Sequence, residues 1–239
     1  VWPRLWDLRP KLRVETGGIF KLCCQRVAIK PLFIVIVFSF LQMFTGTFIV
    51  VFYAVDILSE FGGDIDALWA ATCTAIVRMA CTLIFCVILL FVRRRSILFI
   101  SSIGSGVSCV ALSIYMYNKV EGTPGTDLLV AAICLFAYIA FNTPLMVMPA
   151  IMVGELFPAK IRGRTAGAVF AAMNIALFSF TKLFPYIQSV LKMKGVFMIF
   201  GVSSFLVTIF MFMYQPETKG RSLQDIEDYF NGNNWVWFK

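Results

Sequence analysis

Met148-Pro149-Ala150-Ile151-Met152-Val153-Gly154-Glu155-Leu156-Phe157-Pro158-Ala159-Lys160-Ile161-Arg162-Gly163-Arg164 decides how the rest of the chain is read. An apolar segment ends in Gly154-Glu155, a proline-bounded turn follows, and Lys160, Arg162 and Arg164 lead into a second apolar segment at Thr165. Pro158 has no backbone donor with which to continue the first segment as a helix, and basic residues collect on the cytoplasmic side of a bilayer. The stretch reads as a tight cytoplasmic hairpin between two membrane-spanning helices.

The whole chain has the composition that such a hairpin needs. Of its 239 residues 60% are hydrophobic and 14% charged, against about 25% charged in an ordinary soluble domain. The net charge of +8 does not mark a nucleic-acid binder, because the basic residues fall in short stretches between apolar runs rather than on one solvated face. There is no histidine, which removes the commonest metal ligand and general base. No nucleophile elbow, glycine-rich phosphate loop or metal-ligand cluster is present, so the chain does not read as an enzyme and calls for no cofactor or metal. The seven cysteines form no C-x-x-C pair and read as reduced packing groups. The first residue is Val and no basic-then-apolar leader precedes the first long run, so the chain reads as a piece of something larger.

Outward from the hairpin, six apolar runs can be counted, at about 30–53, 67–92, 96–117, 128–153, 165–190 and 196–214. A bilayer-spanning helix needs ~20 apolar residues, and spanning backbone must satisfy its own polar groups, so each run is expected to be a helix. The fold class is therefore an all-α membrane protein with six transmembrane helices. With the N-terminus inside, the inner segments carry sixteen Lys and Arg and the outer loops three (Lys119, Lys192, Lys194). That bias places both ends of the chain in the cytoplasm. Residues 1–29 read as a cytoplasmic linker, 30–216 as the transmembrane domain, and 217–239 as a cytoplasmic tail. In the tail Leu223, Ile226 and Phe230 recur at helical spacing, which predicts a short amphipathic helix.

Two motifs narrow the class. Gly154-Glu155-Leu156-Phe157-Pro158-Ala159-Lys160-Ile161-Arg162-Gly163 and Pro216-Glu217-Thr218-Lys219-Gly220-Arg221-Ser222-Leu223 resemble the sugar porter family of the major facilitator superfamily, in the segment after its tenth helix and the signature after its twelfth. The resemblance, nearest to the facilitated glucose and trehalose transporters, covers nearly the whole chain. It implies the C-terminal six-helix half of a twelve-helix transporter, built of two three-helix inverted repeats. The implied partners are the lipid bilayer, the N-terminal six-helix half and a sugar or similar polar solute. The implied location is the plasma membrane. By the same resemblance Glu155 pairs with an arginine of Arg93–Arg95, and Arg94, Arg95, Glu155, Arg162 and Glu217 form a cytoplasmic gate.

The expected solute contacts are the polar groups at membrane depth: Gln42, Thr45, Thr47, Asn142, Thr143 and Asn174. Gln42 matches the first of two glutamines on the family's seventh helix, while Met43 and Phe48 stand where a second Gln and an Asn are usual. Val147, Ala150 and Met173-Asn174 also depart from the pattern, and Leu90 replaces an acidic residue before the arginine run. Asn142-Thr143-Pro144 is expected to break the fourth span locally, as helices lining transporter paths often are. Arg78 lies about eleven residues into the second span, and an intramembrane arginine normally faces a partner or a cavity. It either pairs with the absent half or lines the path and attracts an anionic solute. Three functions remain open on this reading: a carbohydrate transporter, facilitative or proton-coupled; a transporter of another small, anionic solute; and a non-transporting sensor on the same fold.

Overall fold

The computed structural model describes residues 26–53, 67–118, 126–157 and 161–215. Among them all regular structure is helical: α1 (Arg26–Met43), α2 (Ile49–Phe52), α3 (Ala67–Phe91), α4 (Arg94–Asn118), α5 (Thr126–Leu156) and α6 (Arg162–Tyr214). Helices α3 to α6 contain stretches long and apolar enough to cross a membrane, and α1 holds a shorter apolar stretch, Ile29–Met43. The membrane-class, all-helical expectation therefore stands. Most of the linker, all of the tail with its expected helix, and the loops holding Asp56, Glu60 and Lys119 lie outside the described residues. Helix α1 starts at Arg26, a few residues before the apolar run that begins at about residue 30.

The first apolar run is not one helix. It stops at Met43, passes through a turn at Phe44–Phe48, and restarts as α2. The amides of Phe44, Thr45 and Gly46 reach back three residues, to the carbonyls of Leu41, Gln42 and Met43, so the helix tightens before it breaks. Gly46 has φ of 80°, a conformation that costs a residue with a Cβ roughly 1–2 kcal/mol. Conversely, the expected break at Asn142-Thr143-Pro144 is absent: α5 runs unbroken over 31 residues with Pro144 and Pro149 inside it. A proline removes one donor and bends a helix, and neighbouring side chains then complete the exposed carbonyls. Beside Pro144, the Thr143 hydroxyl donates to the Ile139 carbonyl of its own helix at 2.7 Å.

The last two apolar runs are joined without a loop. Helix α6 is 53 residues long and interrupted at the single residue Lys192 (φ 56°, ψ 170°). At 1.5 Å per residue an unbroken helix of that length would reach about 80 Å, far beyond a bilayer core of about 30 Å. The break divides it into two legs, each near the length of one span.

Helix α4 packs most extensively, on α5 and on α6; α1 lies against α6 and α5, and α3 leans on α5. The core is in two tiers. One joins Ile34, Val35 and Phe38 of α1 to Ile97 and Leu98 of α4, Met148 and Met152 of α5, and Val207 and Met211 of α6. The other joins Ile49 and Val50 of α2 to Cys109 and Leu112 of α4, Leu135 and Ile139 of α5, and Phe184, Phe197 and Phe200 of α6. Between the tiers, each of these helices carries buried polar residues at corresponding heights: Gln42, Thr45 and Thr47; Ser102 and Ser105; Asn142 and Thr143; Ser204.

In lipid, apolar side chains gain little by leaving the hydrocarbon, so helices associate through close packing of small residues and through hydrogen bonds. The α4–α6 seam follows that rule. A Cβ on Gly201 would stand 2.7 Å from Val110 Cγ2 and 3.3 Å from the Gly106 carbonyl oxygen. Across the same seam the Thr208 hydroxyl donates to Ser102 at 2.7 Å, and Ser105 and Ser204 are 3.3 Å apart.

Candidate functional site

The polar layer between the two tiers is centred on the break in α1. The carbonyl of Thr45 accepts from the Tyr138 hydroxyl at 2.7 Å and from Asn142 Nδ2 at 3.4 Å. Thr45 Oγ1 donates to the Gln42 carbonyl at 2.7 Å and lies 2.9 Å from Thr47 Oγ1, which in turn donates to Asn142 Oδ1 at 2.5 Å. Asn142 Nδ2 also reaches Ser105 Oγ at 3.2 Å, and Ser105 meets Ser204. One amide side chain thus ties the broken helix to α4 and, through the serines, to α6. All these groups are 3% exposed or less.

Gln42 differs from its neighbours. It is fully buried, and neither its Oε1 nor its Nε2 has a hydrogen-bond partner. A buried amide group left unpaired costs ~1–3 kcal/mol, so the fold holds Gln42 at this depth against its own stability. A buried amide with neither atom paired calls for an explanation beyond the fold.

The structure brings Gln42, Thr45, Thr47 and Asn142 together and leaves the other expected contacts apart. Thr143 is buried but bonds within its own helix. Asn174 is exposed on α6 and donates to the Phe170 carbonyl of the preceding turn at 2.7 Å. Arg78 is half-buried on α3, with Nη1 3.4 Å from the Met146 sulfur. A thioether is a weak acceptor for a guanidinium, so most of its hydrogen-bonding capacity is unspent there. Tyr138, Ser105 and Ser204 belong to the layer without having been singled out from the sequence. The serines had a signal: Ser102, Ser105, Cys109 and Ser113 form a small-residue stripe at helical spacing, the pattern of a close helix seam.

At the end of the bundle where α3, α5 and α6 finish, arginines meet helix termini. Arg94 Nε lies 3.1 Å from Glu155 Oε1, and its Nη1 donates to the Leu89 carbonyl in the last turn of α3 at 3.1 Å. Arg95 Nη2 donates to the Phe212 carbonyl near the end of α6 at 2.7 Å, its guanidinium 5.3 Å from the Phe212 ring centre. Arg162 reaches the Phe157 carbonyl just past α5 through Nε and Nη2 at 3.3 and 3.2 Å. Each cation completes carbonyls that a helix leaves unpaired and offsets the negative end of its dipole. Arg162 is therefore drawn to a backbone carbonyl, and Glu217 lies outside the described residues.

The ion pair is half-open to solvent, at 23% and 28% side-chain exposure, so it is worth about 1 kcal/mol or less. Glu155→Gln is expected to lower the unfolding midpoint of the complete protein by no more than about 2–4 °C. Arg94→Gln is expected to cost more, because it also uncaps α3. Thermal unfolding in detergent with the double variant checks this, and equal losses from the two single changes would contradict the capping role.

A model of the family described as sugar (and other) transporter matches residues 14–230. The facilitated trehalose transporter Tret1-2 homolog of Drosophila sechellia is 32% identical over 233 residues, which is 95% of this chain and 48% of that protein. The facilitated trehalose transporter Tret1-1 of Drosophila simulans is 32% identical over 205 residues, 85% of this chain and 24% of that protein. Among solved structures, the proton:xylose symporter XylE bound to 6-bromo-6-deoxy-D-glucose superposes with a TM-score of 0.70 at 22% identity, over 90% of this chain and 45% of that one. The inward open conformation of the xylose transporter XylE from E. coli gives 0.71 at 21%, over 89% and 44%. The chain spans about half the length of these structures, and half or less of the curated relatives it matches.

Proposed function

This chain belongs to the sugar (and other) transporter family, and from that premise we propose that it is the C-terminal six-helix half of a twelve-helix carbohydrate carrier. The half would comprise two inverted three-helix repeats. The complete protein would move a hexose or trehalose across the plasma membrane by facilitated alternating access, with both ends of this chain in the cytoplasm. Family membership, and coverage of about half of the matched structures, support the half-transporter reading.

One observation carries the site: the buried, unpartnered amide of Gln42 beside a helix broken at Thr45-Gly46-Thr47. Broken helices near the bilayer midplane expose backbone groups where solutes bind, and a sugar hydroxyl both donates and accepts, as an amide does. Thr45, Thr47 and Asn142 shape that place and trade hydrogen bonds with the solute as the halves rock. Arg94, Arg95, Glu155, Arg162 and Glu217 close the inner end, the Arg94–Glu155 pair parting when that end opens.

The test separates a functional amide from a structural one. Gln42→Leu removes two unsatisfied polar atoms, so the unfolding midpoint of the complete protein is expected to hold or rise. Trehalose and glucose uptake is expected to fall about tenfold or more, the equivalent of a single lost hydrogen bond of ~1.4 kcal/mol. Unchanged uptake of every sugar tested would overturn the site. A second reading rests on Arg78, whose guanidinium meets a sulfur at 3.4 Å: saturable uptake of an organic acid, lost in Arg78→Gln, would assign an anionic solute instead.

A further inference from the structure

At the other end of the bundle from the Arg94–Glu155 pair, a cavity of about 590 Å³ opens beside the break in α6, lined by Pro185, Gln188, Ser189, Lys192, Lys194 and Met116. We propose that this cavity binds a phosphate group, and that Lys192 and Lys194 supply its charge. Four observations combine. Its size falls within the range of ligand sites, ~300–1,000 Å³. Lys192, Lys194, Gln188 and Ser189 line one surface, two cations beside two neutral polar side chains. Lys192 is held at φ 56°, the positive-φ region that an ordinary residue occupies only when its surroundings impose it, and that gathers at ligand sites. Lys194 is anchored rather than free to drift: its carbonyl accepts from the Ser113 hydroxyl at 2.7 Å and its ammonium sits 4.5 Å from the Tyr117 ring centre.

The height of the cavity selects phosphate among anions. The second leg of α6, from Met193 to Tyr214, rises about 33 Å at 1.5 Å per residue, about one hydrocarbon thickness. The lysines then stand at the level of lipid headgroups, beside an aromatic residue of the kind that anchors there. Phosphate is the anion carried by phospholipids at that level, and an ammonium binds it as a point charge with three donors. A soluble phosphate ester has the same chemistry and reaches the cavity from the aqueous side.

Native mass spectrometry of the complete protein, freed of lipid in detergent, tests the proposal with phosphatidylglycerol, phosphatidylcholine and soluble glycerol 3-phosphate as probes. Wild type is expected to retain one phosphatidylglycerol that the Lys192→Gln/Lys194→Gln variant holds about tenfold more weakly. Displacement of that lipid by millimolar glycerol 3-phosphate would assign the site to free phosphate esters, and resistance to it would assign the site to lipid. Lys192→Gly guards against misfolding: it removes one charge while accepting the positive φ, and is expected to keep the unfolding midpoint and weaken retention. Equal retention by wild type and the double variant would overturn the proposal.

Discussion

Gly46→Ala is expected to lower the stability of the complete protein by about 2–5 kcal/mol. Two costs add. The backbone at Gly46 has φ of 80°, which a Cβ penalises by roughly 1–2 kcal/mol. The new atom would also stand 2.3 Å from Cε2 of Phe200, and overpacking of that kind costs about 1–3 kcal/mol. Phe200 is 2% exposed and sits within the tier that includes Phe197 and Met193, so its ring has little room to yield. Thermal unfolding in detergent reads the loss, and Phe200→Leu separates the two parts. In the Phe200→Leu background the alanine is expected to cost less by its clash but still to cost its strain. A Gly46→Ala protein as stable as wild type would mean that the α1 break is not held in this conformation.

Asn142→Leu is expected to cost about 2–4 kcal/mol. The substitution nearly conserves volume but removes the group that joins α1, α4 and α5, leaving Thr47 Oγ1 without its acceptor and Ser105 without its donor. Hydrogen bonds between helices in lipid average ~0.6 kcal/mol and reach ~1.7. Loss of contacts alone would therefore give about 2, and buried orphans at ~1–3 kcal/mol each raise the figure. Tyr138→Phe is the milder companion, because the Thr45 carbonyl still accepts from Asn142. The informative comparison is with Gln42→Leu at the same depth. Two amides are replaced by the same apolar residue, and only the one that is already satisfied is expected to be missed by the fold. Equal destabilisation by both would place Gln42 among the structural groups.

These contrasts mark where sequence reading reaches. The spans were legible because a bilayer demands a run of about 20 apolar residues whatever the tertiary fold. The α1 break was not. Phe44 to Phe48 sit inside an unbroken apolar run, and the space for a side chain at Gly46 is taken by a ring 154 positions further along the chain. Pro144 misled in the opposite direction, since a proline next to Asn and Thr signals a break in water but only a bend where side chains complete the carbonyls. Gln42 was found through a family resemblance and Asn142 as a polar group at depth. Tyr138 and Ser204 were not found, because a lone hydroxyl in an apolar run looks the same whether it closes its own helix turn or bridges two helices. The arginines were read from the sequence as a charge cluster with Glu155. Their acceptors at Leu89, Phe157 and Phe212 are backbone carbonyls, which leave no trace in sequence.

The loopless junction at Lys192 also has a mechanical consequence. A loop between two helices absorbs relative motion, whereas a one-residue break passes it on. The leg from Arg162 to Leu191 is about 45 Å long, so a turn of about 10° at Lys192 would swing its far tip by about 8 Å. That leg would act as a lever with its fulcrum at Lys192. Its tip carries Arg162, whose grip on the Phe157 carbonyl would resist or release the stroke at the opposite end of the bundle.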